Sequence, residues 1–538
     1  MRSLVVAALM LSSMALSALG AGPQAYCSAG SRILTDRTIQ MVDDLTSYNG
    51  VTCESDPKVK LVLDASKAPD GFGITATFTD GTIGAGGALQ FIGPTGDRIG
   101  MVAPLLVRIE RCIFEKDAVL HVQGSLPTSS LISISGNRFD VGAPHEVLRN
   151  INTNFISAIT FGNYETEMVL GTNAQVTCYE NNLHVEDATG DAQPYETYGI
   201  FASSHFYLGN DAGFLIQRNN ITAKTVANNF KAVGVYCPRY VFMIGNTTLT
   251  QIQGNTMELT NGIMFHSPSV AVSENCHGNA DFSQNTATLL PVHESTYGAI
   301  IGPVNLTTTS TVEIADNVIV NRNDGAISNS VRMFMNGPAH LRDQSGLYLW
   351  FNTMNTQGGS PQITFGGPSR TEGEGKIMVV GNQMERMDGL TLGLSPLQWF
   401  SLIMEGSSSV TVSQNKFGAT NGNNKPFFMT ASTSVDAPAN AKGVNATFDV
   451  CHNLWYGSEF ASQTALLDSI PNANLKVMIS DIAECPATIT TTTLAPRTTT
   501  TRTTRSPGTT VPADNGAPVA TQAVAGAALL AAIVACLL

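Results

Sequence analysis

Chemistry on a polysaccharide would need carboxylates held across one bond, and the chain offers few acids for that role. Asp281, Asp316 and Asp324 could fall on neighbouring units of the repeat described below, but their positions relative to its motif differ. Glycoside hydrolysis sets two carboxyl groups about 5 to 9 Å apart. A lyase would need clustered acids for calcium plus a basic Arg or Lys. Arg218, Arg322 and Arg342 are present, yet nothing pairs them with acids at a repeating offset. His205, His266 and His277 stand isolated and read as surface or packing residues. No Cys-x-x-Cys pair or His/Cys cluster has the spacing of zinc ligands. The residues therefore assign no catalytic, cofactor-binding or metal-binding set.

What must position these side chains is a repeat. Val410-Thr-Val-Ser-Gln-Asn-Lys-Phe417 reads as apolar, x, apolar, x, x, Asn, x, apolar. The pattern recurs around Asn137, Asn181, Asn219, Asn255, Asn285, Asn317, Asn352, Asn382, Asn415 and Asn453, at spacings of 30 to 44 residues. A period of this size signals a solenoid. The two apolar residues before each Asn are two apart and share one face of a strand. The apolar residue after it is five positions beyond the nearer of them, so it can also point inward only if the chain bends. Asn tolerates the left-handed conformation that such a bend needs. Its amide can donate and accept, so stacked bends at about 4.8 Å would form a hydrogen-bonded ladder.

The expected fold is all-β: a single-stranded parallel β-helix with a small N-terminal cap, followed by a disordered Thr-rich stalk. A β-sandwich has no reason to repeat one string ten times, and the leucine-rich signature is missing. A second recurring piece has Gly before apolar residues, at Gly199, Gly234, Gly262, Gly298 and Gly325. It reads as another strand of each rung, entered through a Gly bend. Val270-Val272-Asn275 reads as an additional motif. Ten to twelve rungs would make a rod on the order of 50 Å long.

Residues 1–20 carry Arg2 and an apolar run ending in small residues, the pattern of a secretory signal peptide. Low charge content (13%) and 49 Gly suit an exported β-rich protein. A net charge of −13 argues against nucleic acid as a partner. Residues 21–58 read as the cap, with the most helix-like stretch at Ser31 to Tyr48, where Ile39, Val42 and Leu45 fall three apart. Residues 59–484 form the β-helix domain. Of nine Cys, eight lie before the tail, an even number that suggests disulfides; Cys27–Cys53 and Cys451–Cys485 are the expected staples of the two ends. Four sequons, at Asn220, Asn246, Asn305 and Asn445, predict exposed N-glycosylation sites.

Residues 485–515 are rich in Thr and Pro, the composition of an O-glycosylated extended stalk. Small residues around Asn515, a spacer and the apolar run to Leu538 match a glycosylphosphatidylinositol (GPI) signal, with attachment at Asn515 and removal of 516–538. The chain is therefore expected at the extracellular face of the plasma membrane, held there by a lipid anchor.

With these features in place, the strings Val410 to Phe417 and Ile132-Ser-Ile-Ser-Gly-Asn-Arg-Phe139 resemble those of the dispersed gene family proteins of trypanosomatids. That resemblance implies an adhesive or coat role for a protozoan surface protein, with an unidentified host or matrix glycan or protein as ligand. The architecture also resembles the pectin-lyase-like superfamily, which implies a polysaccharide lyase or hydrolase as the alternative. The Asn-Thr-Asp, Gly-His-Gly and Arg-Ile-Lys motifs of its polygalacturonase-type members are absent. Their Asp-Asp pair occurs only at Asp43-Asp44, in the expected cap.

Overall fold

The computed structural model describes residues 24–459, apart from one- or two-residue gaps and the longer stretches 42–46, 69–72, 95–103, 150–154, 164–166, 188–194, 226–230, 291–295, 323–330, 388–391, 393–395, 419–426 and 430–446. The signal segment, Asp43-Asp44, Asp324, Asn445, Cys485, the stalk, Asn515 and the tail lie outside the described residues.

The described chain is a parallel β-helix. The first sheet has 14 strands, from Gln24–Ala25 to Thr447–Cys451, each taken from a successive rung. The second has 15, and a third set completes each turn. Fourteen rungs at about 4.8 Å give a rod of about 60 Å, longer than the repeat count predicts.

One rung shows why the sequence coils. In Gln175–Tyr179, Val176 and Cys178 face inward and their neighbours outward. Glu180 then takes a positive φ of 53°. That residue resets the parity, so Asn181 and Leu183 are both buried. Register carries this from rung to rung: Val176 pairs with Ile132 and Phe214, and Leu183 with Phe139 and Ile221. The core is thus a stack of like on like, with Phe114 on Phe139 at 4.1 Å and Phe365 on Trp399 at 4.3 Å. Each such ring contributes roughly 1.5–3 kcal/mol by leaving water.

Three expectations change. First, the described residues of 31–48 are not helical. Arg32–Ile33, Arg37–Gln40 and Ser47–Val51 are strands, and Ile39 pairs with Leu63. A three-residue apolar spacing is a weak signal, and pairing to the next rung overrides it. The coil therefore begins by Gln24, ahead of the boundary expected at 59. Second, Gly199, Gly234 and Gly298 sit inside strands, not at their entrances. A Cβ on Gly199 would lie 2.4 Å from Ile221, and one on Gly298 2.2 Å from Ile319, so glycine admits the second sheet's core side chains. Third, Val270–Val272 belongs to the third sheet, and Asn275 is a left-handed turn residue (φ 62°) between sheets. Among the described residues, the last pairing is antiparallel, Leu454–Trp455 with Ser458–Glu459, where the chain turns back on itself.

Candidate functional site

The ten ladder asparagines stand in single file at the corner between the first and second sheets. Each Nδ2 donates to the Oδ1 of the Asn one rung on, at 2.9–3.0 Å, from Asn137 through to Asn453. The same Oδ1 accepts the preceding Asn's backbone N–H. The second amide hydrogen reaches a backbone carbonyl, as from Asn317 to Phe282 at 2.8 Å. All ten are buried, so each amide spends its whole hydrogen-bonding capacity on the fold. The left-handed residue is not the Asn but the one before it: Gly136, Glu180, Arg218, Gly254, Gln284, Asp316, Phe351, Gly381, Gln414 and His452.

The corner extends beyond the asparagines. Cys112 donates its N–H to Asn137 Oδ1 at 2.9 Å. Gly81 and Cys53 hold the same place in the two rungs before, each giving its carbonyl to the next rung's strand. Sequence reading carried the repeat as far as Val107-Ile109-Cys112-Phe114, with Cys at the ladder position, and not to Gly81 and Cys53. Cys53 forms a disulfide with Cys27 across a Cα–Cα distance of 6.0 Å. Cys112, Cys178 and Cys237 are buried free thiols and Cys276 is half-buried and free, so the even count does not translate into four bridges. Burial pushes the Cys112 and Cys237 thiols up to about 12, which leaves them protonated and inert.

Of the acids considered for catalysis, Asp281 lies on the first sheet, Asp316 at the bend that follows it, and Asp324 outside the described residues. Asp281 faces outward between Gln251, which donates to it at 2.8 Å, and its register partner Glu313. Asp316 occupies the bend of the next rung; its carboxyl is raised by partial burial first and then by the charge of Asp281. The arginines are elsewhere. Arg218 donates to the Tyr179 hydroxyl at 2.9 Å, and Arg342 reaches Glu274 and Asn305. Arg322 is exposed beyond the second sheet. His277 bonds Thr309, and His205 packs edge-on against Tyr240 at 4.6 Å. Among the described residues no group of three His, Cys, Asp or Glu side chains could hold a metal.

Sequence reasoning missed the third sheet's outer face. On its first half, aromatic side chains form a row that starts buried and runs to half-exposed positions. Phe155, Tyr198 and Phe201 pack together with ring centroids 4.6–5.9 Å apart. Tyr236 joins them at 5.0 Å from Phe201, and His266 follows at 4.9 Å from Tyr236. Tyr297 and Phe334 lie farther along, 6.3 Å apart. The row is covered at its start and half open from Tyr236 onward. Cations flank the open part: Lys231 Nζ lies 4.7 Å from the Tyr297 ring centre, and Arg332 is the register partner of Tyr297. Burial first, then Lys231, push His266 down to about 4, so its imidazole is neutral. The one available signal was Tyr198, Tyr236 and Tyr297 falling within two residues of the recurring glycines.

The second half of this face is more open. Tyr207 and Phe242 stack at 5.3 Å, Tyr240 and Phe242 at 5.8 Å, and Tyr240 and Ile244 are among the exposed large apolar residues. Farther along the rod it turns polar, with His340 Nε2 3.1 Å from Glu372 and an Arg370–Glu405 ion pair. Of the sequons, Asn220, Asn246 and Asn305 are exposed.

No family model and no curated protein matches this sequence. Among solved structures, a periplasmic alginate epimerase is similar over 79% of this chain and 85% of that one, at 11% identity and a TM-score of 0.19. The fold is read from the chain's own three sheets.

Proposed function

We propose that the chain is an exported surface glycoprotein, lipid-anchored through Asn515, that recognises an extracellular ligand without catalysing a reaction. The observation that carries this reading is the aromatic row Tyr236, His266, Tyr297 and Phe334, which leaves the core and opens beside Lys231 and Arg332. Half-open aromatic side chains next to cations are what recognition surfaces use. Kinship with trypanosomatid surface proteins, and an adhesive or coat role in a protozoan, rest on the repeat strings and on the expected signal, stalk and anchor. The rod would then serve to hold this face at a distance from the membrane.

The test is a glycan and matrix-protein binding array on the soluble ectodomain, with wild type against a Tyr236→Ala/Tyr297→Ala double variant. Binding that the double variant loses, while it still unfolds cooperatively with only a small loss of stability, supports the reading; equal binding by both would sink it. A polysaccharide-active enzyme is the second reading, favoured by Asp316, whose carboxyl is raised beside Asp281. Cleavage of an acidic polysaccharide that Asp281→Asn abolishes would replace recognition with catalysis.

A further inference from the structure

The open half of the third sheet carries its apolar patch next to a sequon. Tyr207, Phe242, Ala271, Asn305 and His340 occupy one register column on successive rungs. Asn305 is exposed, and the two rungs separating it from Phe242 span about 10 Å. Between them stands only Ala271, too small to fill the row. Tyr207 and Phe242 stack with planes 11° apart, and Tyr240 and Ile244 widen the apolar surface. On the other side of Asn305 the column turns polar, with His340 paired to Glu372.

The Asn305 amide is also oriented. Arg342, from the following rung, donates Nη2–H to Asn305 Oδ1 at 3.4 Å. The amide oxygen therefore faces Arg342 of the following rung, on the side away from Ala271 in the register column.

We propose that Asn305 carries an N-linked glycan that lies back over Ala271 onto Phe242, Tyr207 and Tyr240. The glycan is the occupant of this otherwise exposed patch. The modification is the ordinary secretory transfer from a lipid-diphosphate-linked oligosaccharide. The anomeric C–O bond to the diphosphate breaks, a C–N bond to Asn305 Nδ2 forms, the amide gives up one proton, and the lipid diphosphate leaves. The first sugars then present C–H groups and acetamide methyls to the aromatic edges. An apolar patch of this kind on an exported rod would otherwise invite association. The inference rests on the proposal that the chain is exported.

The experiment expresses the full chain in a eukaryotic secretory host. Mass spectrometry reads occupancy at every sequon, and two probes read the patch: a hydrophobic dye and nitration of Tyr240. The expected result is sugar on Asn305, protection of Tyr240 from nitration, and low dye binding. Asn305→Gln, or native removal of the glycan by an endoglycosidase, should expose Tyr240 and raise dye fluorescence by about two-fold. A Tyr240→Ser/Phe242→Ser change in the Asn305→Gln background should bring the dye signal back down. Occupancy at Asn305 with no change in either probe on its removal overturns the proposal, because the glycan then points elsewhere. An empty Asn305 with sugar on Asn220 or in the stalk also overturns it, while leaving export intact. A chain with no sugar that stays in the cytosol overturns export and this inference together.

Discussion

The ladder corner and the third sheet are built from the same rungs and follow opposite rules. At the corner every rung from Asn137 to Asn453 repeats one residue, one pair of partners and one bend. None of the ten ladder residues titrates. On the third sheet the outward column reads Gln90, His121, Thr160, Phe201, Tyr236, His266, Ile300, Phe334 and Thr364, with no two adjacent rungs alike. A solenoid gains this division because each rung needs only one specified corner to set its register. The remaining face is then free to vary.

The comparison breaks most directly at Asn317. Replacing it with Leu removes the acceptor of the Asn285 N–H and Nδ2, and the donor to Phe282 O and Asn352 Oδ1. With buried groups stranded on both sides, we expect a loss of about 4 kcal/mol. The same change at Asn453 breaks three described bonds against four, those to Asn415 and Val412, and should cost about 3 kcal/mol. Chemical denaturation of the two variants checks the ratio. Equal costs would mean that the ladder acts locally and not as a continuous file.

The next largest effect is acid sensitivity on the third sheet. His121 is buried, bonded to Gln90 at 3.1 Å and to Gly162 O at 3.0 Å, and burial lowers it from 6.5 to about 4. The unfolded chain takes up a proton near pH 6.5 and the folded chain only near 4. Stability is therefore full above pH 6.5 and falls by about 3 kcal/mol as pH drops through that window. His121→Gln should remove its share of that slope and leave the part due to His266, whereas Asn→Leu changes in the ladder should leave the whole unchanged. Asp316 works in the other direction. Its raised carboxyl makes the fold less stable as pH rises out of the carboxylate range, so Asp316→Asn should raise stability at neutral pH.

Tyr236 and Tyr297 are half-buried on the outer face, so truncating either should cost only about 1 kcal/mol of stability. Ligand capture by the ectodomain should nevertheless fall about ten-fold, because centrally placed aromatics carry most recognition energy. A large stability loss without a binding loss would return the row to the core.

How much of this was legible follows the same division. The corner could be read because one polar residue in a fixed apolar frame recurs across most of the chain, and only a stacked bend explains it. The reading faltered where the corner changes residue: Cys53 and Gly81 hold the same place but do not look like Asn. The third sheet's strands were legible through their glycines but its outer face was not, because its register is inherited from the corner and its outward residues change type from rung to rung. Its glycines are legible as a series, but their reason is not. What excludes a Cβ at Gly199 is Ile221 of the second sheet, a contact across the coil that spacing along the chain does not show.

The smallest effect concerns which residue makes the bend. Asn was expected to supply the left-handed conformation, yet Gly254 (φ 67°) and Gln284 (φ 58°) adopt it on adjacent rungs, one residue before Asn255 and Asn285. The contact nearest to a Cβ on Gly254 would be Arg218 Cγ at 3.5 Å, an ordinary distance. Gly254→Ala therefore tests the backbone alone and should cost about 1 kcal/mol. Gln284→Gly relieves the same conformation but frees the unfolded chain and loses an exposed contact to Gln253, leaving a gain of about 0.5 kcal/mol. If both changes were neutral, the bend would be imposed wholly by the amide file beneath it. Opposite signs would show that the residue before each Asn still resists, and that the ladder holds the turn against a small local cost repeated at Glu180, Arg218, Asp316, Phe351, Gln414 and His452.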